Sequence, residues 1–155
     1  MSDEEHFLIK QTKELALPLG EAIWAFSRIE RMSFTYLKAL STEPLDKFME
    51  GVSLRGRLSV IAHLVDRIEG KDEAKALALK CIKSATSLSN TRNLIAHNPW
   101  AITVDFDKNQ FLYNIEKITK KSINVDLQGL KNFTEECETL YDDFETALVT
   151  FITNK

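Results

Sequence analysis

The chain of 155 residues is 44% hydrophobic and 28% charged, which fits one globular domain large enough to bury a core. A formal net charge of -3 at pH 7 argues against a protein that coats nucleic acid by charge alone. No apolar run approaches the ~18 residues of a membrane span. The acidic opening Met-Ser-Asp-Glu-Glu-His lacks the basic-then-apolar order of a signal peptide, so the expected location is the cytoplasm, with no membrane partner.

Residues 4–17 read as a short, poorly periodic helix or arm, and Pro18 suits the first turn of a new helix. From there to about Ser41, Leu19, Ile23, Phe26, Leu37 and Leu40 repeat at three- and four-residue steps, the seam of a packed helix. Ala22, Ala25, Ile29, Met32, Tyr36 and Ala39 widen the apolar stripe, while Glu30 and Ser33 interrupt it. An inward carboxylate is costly unless paired. Glu30 therefore needs a cationic partner, a place at the rim, or a helix rotation that leaves it in water.

Glu43-Pro44 breaks the chain, and a short helical turn is expected over 45–50. Gly51 leads into a second long helix with Leu54, Leu58, Ile61, Val65 and Ile68 as its seam, His63 off that seam, and Gly70 as C-cap. A third opens near Lys71-Asp72, with Ala74, Ala78, Cys81, Ala85 and Leu88 inward; small residues there permit close packing. The same spacing continues through Arg92 and Ile95, which puts Arg92 on the line of the core. Cys81 and Cys137 sit at apolar helical positions with no Cys/His spacing around them. They are expected as reduced core thiols, not as a zinc site or a disulfide.

Pro99 stops the helix at Asn98. Residues 101–106 and 111–115 alternate and are rich in β-branched and aromatic types, around Asp107-Lys108-Asn109-Gln110, which predicts a hairpin. Residues 122–125 are a candidate third short strand. Asp126 suits the N-cap of a last helix whose seam is Leu130, Phe133, Cys137, Leu140, Phe144, Leu148 and Phe151, with Tyr141 and Ile152 alongside. Trp24, Trp100 and the phenylalanines fall at helical or strand spacing and are expected in the core. The expectation is one all-α domain over 1–155, an up-and-down four-helix bundle with a small β-hairpin inserted at about 100–125.

Charge is unevenly spread. The middle of the chain carries Arg55, Arg57, Arg67, Lys71, Lys75, Lys80, Lys83 and Arg92 against fewer acids. The last helix carries Glu135, Glu136, Glu138, Asp142, Asp143 and Glu145 against few bases. A local anion-binding surface and a solvated helix face explain such asymmetry equally well.

The one site on offer is the stretch Asn-Thr-Arg-Asn-Leu-Ile-Ala-His-Asn-Pro-Trp at 90–100. On an ideal helix Arg92, Ala96, Asn93 and His97 fall at about 0°, 40°, 100° and 140°, one contiguous patch around a small residue. Taken by residue type alone, Arg92 also suits an arginine that snorkels to cap a helix end, and His97 a residue bonding the last carbonyls. No Gly-rich phosphate loop, metal-spaced histidine pair or Ser nucleophile elbow is present. No metal or other cofactor is expected.

Arg92-Asn93-Leu94-Ile95-Ala96-His97 resembles the Arg-Asn-x-x-x-His signature of HEPN domains, small helical bundles of toxin–antitoxin, abortive-infection (phage-defence) and RNA-processing proteins. The resemblance implies a metal-independent endoribonuclease acting on single-stranded RNA, working as a homodimer whose two motif helices pool their arginines and histidines in one cleft. It implies His97 and Arg92 as catalytic residues, the imidazole moving a proton and the guanidinium binding the scissile phosphate. Asn93 would support them, and Glu30 is the residue expected to steady Arg92. A non-catalytic RNA-binding or dimerisation module of the same kind is the alternative. Some toxin members carry a tyrosine two positions after the histidine, which an antitoxin modifies; Pro99 stands there, so that route of neutralisation is not expected and any antitoxin stays unidentified.

Overall fold

A computed structural model describes residues 3–108 and 110–153, with side chains at 9–10, 12–108, 110–120 and 122–153. Its elements are α1 (Asp3–Leu40), α2 (Leu45–Phe48), α3 (Leu54–Asp66), α4 (Asp72–His97), β1 (Trp100–Asp105), β2 (Gln110–Lys117), β3 (Lys120–Asp126) and α5 (Leu127–Ile152). Helix α1 is the element the others share: α2, α3, α4 and α5 all pack against it, and α4 packs against α3 and α5.

The expected start of a new helix at Pro18 is not found. Proline removes one backbone donor and costs about 3 kcal/mol inside a helix, yet α1 runs through it. Leu15 and Ala22 are buried on either side and Leu19 packs on the core between them. Burial of one continuous stripe holds the segment helical across the proline.

That stripe is also rotated from the expected one. Ala22, Ala25, Phe26, Ile29, Met32, Tyr36 and Leu37 are buried, while Ile23 is 37% exposed. Trp24, expected in the core, is 70% exposed, and Phe48 and Phe106 stand in solvent as well. Tyr36 sits at the centre, its hydroxyl donating to the Phe144 carbonyl at 2.8 Å and its ring edge-on to Phe144. The inward positions of α3, α4 and α5 match expectation, from Leu58, Ile61 and Val65 to Phe133, Cys137 and Phe151.

The expected all-α four-helix bundle is corrected. Among the described residues the chain forms five helices and a three-stranded antiparallel sheet in the order β1-β2-β3. The candidate third strand is real and longer than expected, pairing Ile115 with Val125 and Asn114 with Asp126. An isolated two-stranded hairpin is marginal in water, and a third strand completes the ladder of β2 on its open side. Asn109, in the expected hairpin connection, lies outside the described residues.

Pairing register and two-residue alternation place Trp100, Ile102, Val104, Tyr113, Ile115 and Val125 on one sheet face. Among the described residues its root is the part built into the core: Ile115 is fully buried, with Trp100 and Val125 packed on the core as its pairing partners. Strand β3 then passes directly into α5, where the Asp126 carboxylate accepts from the Gly129 amide at 2.6 Å as the expected N-cap.

Both cysteines are buried and free. Burial, aided by neighbouring carboxylates, pushes both thiols up to about 12 from an ordinary 9.0. Between about pH 9 and 12 the unfolded chain therefore holds fewer thiol protons than the folded one, so stability falls as pH rises through that window. Urea unfolding at stepped alkaline pH should show this fall, and it should be shallower in a Cys81→Ala/Cys137→Ala variant.

Candidate functional site

The polar residues of α1 and the motif of α4 meet where those helices cross. Arg92 reaches α1: its Nη2 pairs with the Glu30 carboxylate, and its guanidinium carbon lies 5.4 Å from the centre of the Phe26 ring. Its Nη1 donates to Asn93 Oδ1 at 3.1 Å. Both ion-paired side chains are at the rim, 28% exposed for Arg92 and 31% for Glu30. Glu30 thus has both a cationic partner and water.

Behind Glu30 stands a second guanidinium, which residue type and spacing placed among the surface charges. Arg57 is 7% exposed. Its Nε donates to Ser33 Oγ at 2.8 Å, its Nη1 donates to the Val52 carbonyl, and its carbon sits 4.2 Å over the Phe34 ring. Ser33 in turn donates to the Glu30 backbone carbonyl at 2.6 Å. Burial lowers the Arg57 pKa, and the negative charge of Glu30 works against that shift. The two polar interruptions of the α1 stripe, Glu30 and Ser33, are therefore the sockets for two arginines from α4 and α3. Charge alone does not reveal this in sequence; the signal was the pair of polar residues on an apolar helix seam.

Other cations of the middle segment also have internal work. Lys71 donates to the Thr150 and Phe151 carbonyls at the end of α5, and Lys75 to the Asp66 and Ile68 carbonyls at the end of α3. Lys71 and Lys75 therefore serve the fold, and neither a local anion-binding surface nor a solvated helix face accounts for them.

The remaining motif residues face outward. Asn93, Ala96 and His97 are exposed, and among the described residues no hydrogen bond or ion pair holds the His97 ring. Arg92 and His97 are five positions apart, roughly 140° around the helix and 7–8 Å along it. Arg92 turns in against α1 while His97 turns to solvent, so the structure brings Arg92, Asn93 and Glu30 together but leaves His97 outside that cluster. A groove of about 580 Å³ lies elsewhere, between α4 and α5, lined by Lys80, Ser84, Asn132, Glu135 and Asp143 among others. Its excess of carboxylates disfavours an anionic ligand. Among the described residues no group of three or more His, Cys, Asp or Glu side chains is placed to hold a metal ion, and no helix is long and apolar enough to cross a membrane.

Asn98, next to His97, ties the helix end to the sheet. Its Nδ2 donates to the Leu94 carbonyl at 2.9 Å, and its Oδ1 accepts from the Ile118 amide, in the β2–β3 turn, at 3.2 Å. Sequence suggested only a stop signal at Asn98. Asn98→Ala removes both bonds and should cost about 1–2 kcal/mol in denaturant unfolding. The Ile118 amide should exchange with solvent deuterium measurably faster in the same variant.

Set against protein-family models, curated proteins and solved structures, the chain matches none of them.

Proposed function

We propose that this protein is a metal-independent endoribonuclease of HEPN type, cutting single-stranded RNA at a site that two copies complete around Arg92 and His97. The reading rests on the Arg-Asn-x-x-x-His motif, not on the fold, which departs from the simple helical bundle expected with that motif. The observation that carries it is the contrast within the motif: a guanidinium aimed by Glu30 and Phe26 at the rim, and a solvent-facing imidazole without a partner among the described residues.

RNA carries its own nucleophile. A base takes the proton of the 2′-hydroxyl, whose oxygen attacks the adjacent phosphorus; the bond to the 5′-oxygen breaks, and an acid returns a proton to it. The products are a 2′,3′-cyclic phosphate and a free 5′-hydroxyl. Each half of this exchange needs a proton-transfer group, and histidine serves near neutral pH. One chain presents one imidazole here, turned away from its own Arg92, so a second copy supplies the other base or acid. Arg92 stabilises the charge that builds on the phosphate oxygens, with two parallel N–H donors where lysine has a point charge. Asn93, bonded to Arg92, is a supporting residue, and Glu30 a positioning one.

One observation favours the alternative of a non-catalytic RNA-binding or dimerisation module: Arg92 is already paired, so an incoming phosphate must share it with Glu30. Activity separates the two. The wild type should cleave single-stranded RNA in EDTA and leave cyclic-phosphate ends, and His97→Ala should lose about 10²–10⁴-fold in rate with unchanged melting. Arg92→Ala should fall similarly. Clean protein that binds RNA but leaves it intact sinks the ribonuclease reading.

A further inference from the structure

The turn between β2 and β3 stands beside the helix end that carries the motif. The sheet register sets Lys117 and Lys120 directly opposite one another, next to a register shift between Glu116 and Lys117. Like charges facing each other across neighbouring strands are destabilising. Both lysines are exposed, and among the described residues no carboxylate pairs with either. Nor is the turn loosely placed: the Ile118 amide, between them in sequence, is bonded to Asn98, and Asn98 directly follows His97. The turn that carries these two ammonium groups, neither with a carboxylate partner among the described residues, is thereby held at the end of α4, whereas Arg57, Lys71 and Lys75 are used inside the fold.

We propose that Lys117 and Lys120 bind the phosphate backbone of single-stranded RNA, holding the nucleotides that flank the phosphate at Arg92 and His97. The inference rests on the RNA reading above and adds a residue pair that the motif does not contain. A polyanion is the fitting ligand because it supplies one phosphate after another along a strand, relieving the facing charges while another phosphate occupies Arg92. Lysine suits this role: it contacts phosphate as a point charge, and a phosphate contact carries no sequence information, so the site should hold RNA with little sequence preference.

The test uses the full-length wild-type chain and a fluorescein-labelled 2′-O-methyl oligoribonucleotide, which lacks the attacking hydroxyl and stays intact. Anisotropy titrations across a salt series should show affinity falling with salt. Lys117→Gln/Lys120→Gln should bind about tenfold more weakly at low salt, and its slope of log affinity on log salt should be shallower by about 1.4, roughly 0.7 for each lost single-strand phosphate contact. Lys117→Arg/Lys120→Arg should restore both. Equal affinity and slope in the Gln variant, or no binding by the wild type at low salt, overturns the proposal. If the wild type binds in the lysine-dependent way yet cuts no ordinary RNA, the lysine site stands and the ribonuclease reading falls. If it does cut, the Gln variant should raise KM and leave kcat near the wild-type value.

Discussion

Burial of one stripe of α1 against every other helix is the constraint on which this structure depends. The stripe runs through Pro18 unbroken and closes over Tyr36 and Phe144 at the centre. It contains two polar positions, and a stripe of that kind tolerates polar groups only if each is satisfied. Ser33 is satisfied by Arg57 from α3 and Glu30 by Arg92 from α4. The polar gap in the apolar seam is thus also where three helices are keyed together, and the partner at its outer end is the motif arginine.

This arrangement divides the cations of the chain into two kinds. Arg57, Lys71 and Lys75 satisfy carbonyls and a hydroxyl within the fold, and their charge is poorly available to a ligand. Arg92 lies at the rim against α1, and Lys117 and Lys120 are exposed in the turn that is bonded to the end of α4. A protein with a net charge of -3 can therefore still present cations to an anionic ligand. Meanwhile the acids of α5 line a different surface, together with the groove toward α4.

The junction between α4 and the sheet gives the small sheet a purpose beyond filling a connection. Pro99 forces the chain out of the helix, and Asn98 binds the helix end to the far turn of the same sheet. A side-chain hydrogen bond thus joins the last turn of α4, which carries His97, to the lysine-bearing turn.

Much of this was legible in the amino-acid order. Inward faces of α3, α4 and α5, the break at Pro99, the paired strands after it and the Asp126 cap all follow from local rules of spacing and backbone geometry. Arg92 and Glu30 stood out because each breaks an apolar seam. The rest is non-local. Propensity at Pro18 argues for a break, and burial of Leu15 and Ala22 with packing of Leu19 on the core overrides it. The outward turn of Trp24 depends on how far α1 rotates, which its neighbours decide. Whether a cation is buried, as Arg57 is, or exposed, as Lys117 and Lys120 are, depends on which carbonyls and carboxylates the fold brings near. Local order determined the elements and the motif; tertiary packing decided the third strand's place in the sheet, the pairing of Glu30, and which charges face water, because those depend on groups far apart in the chain.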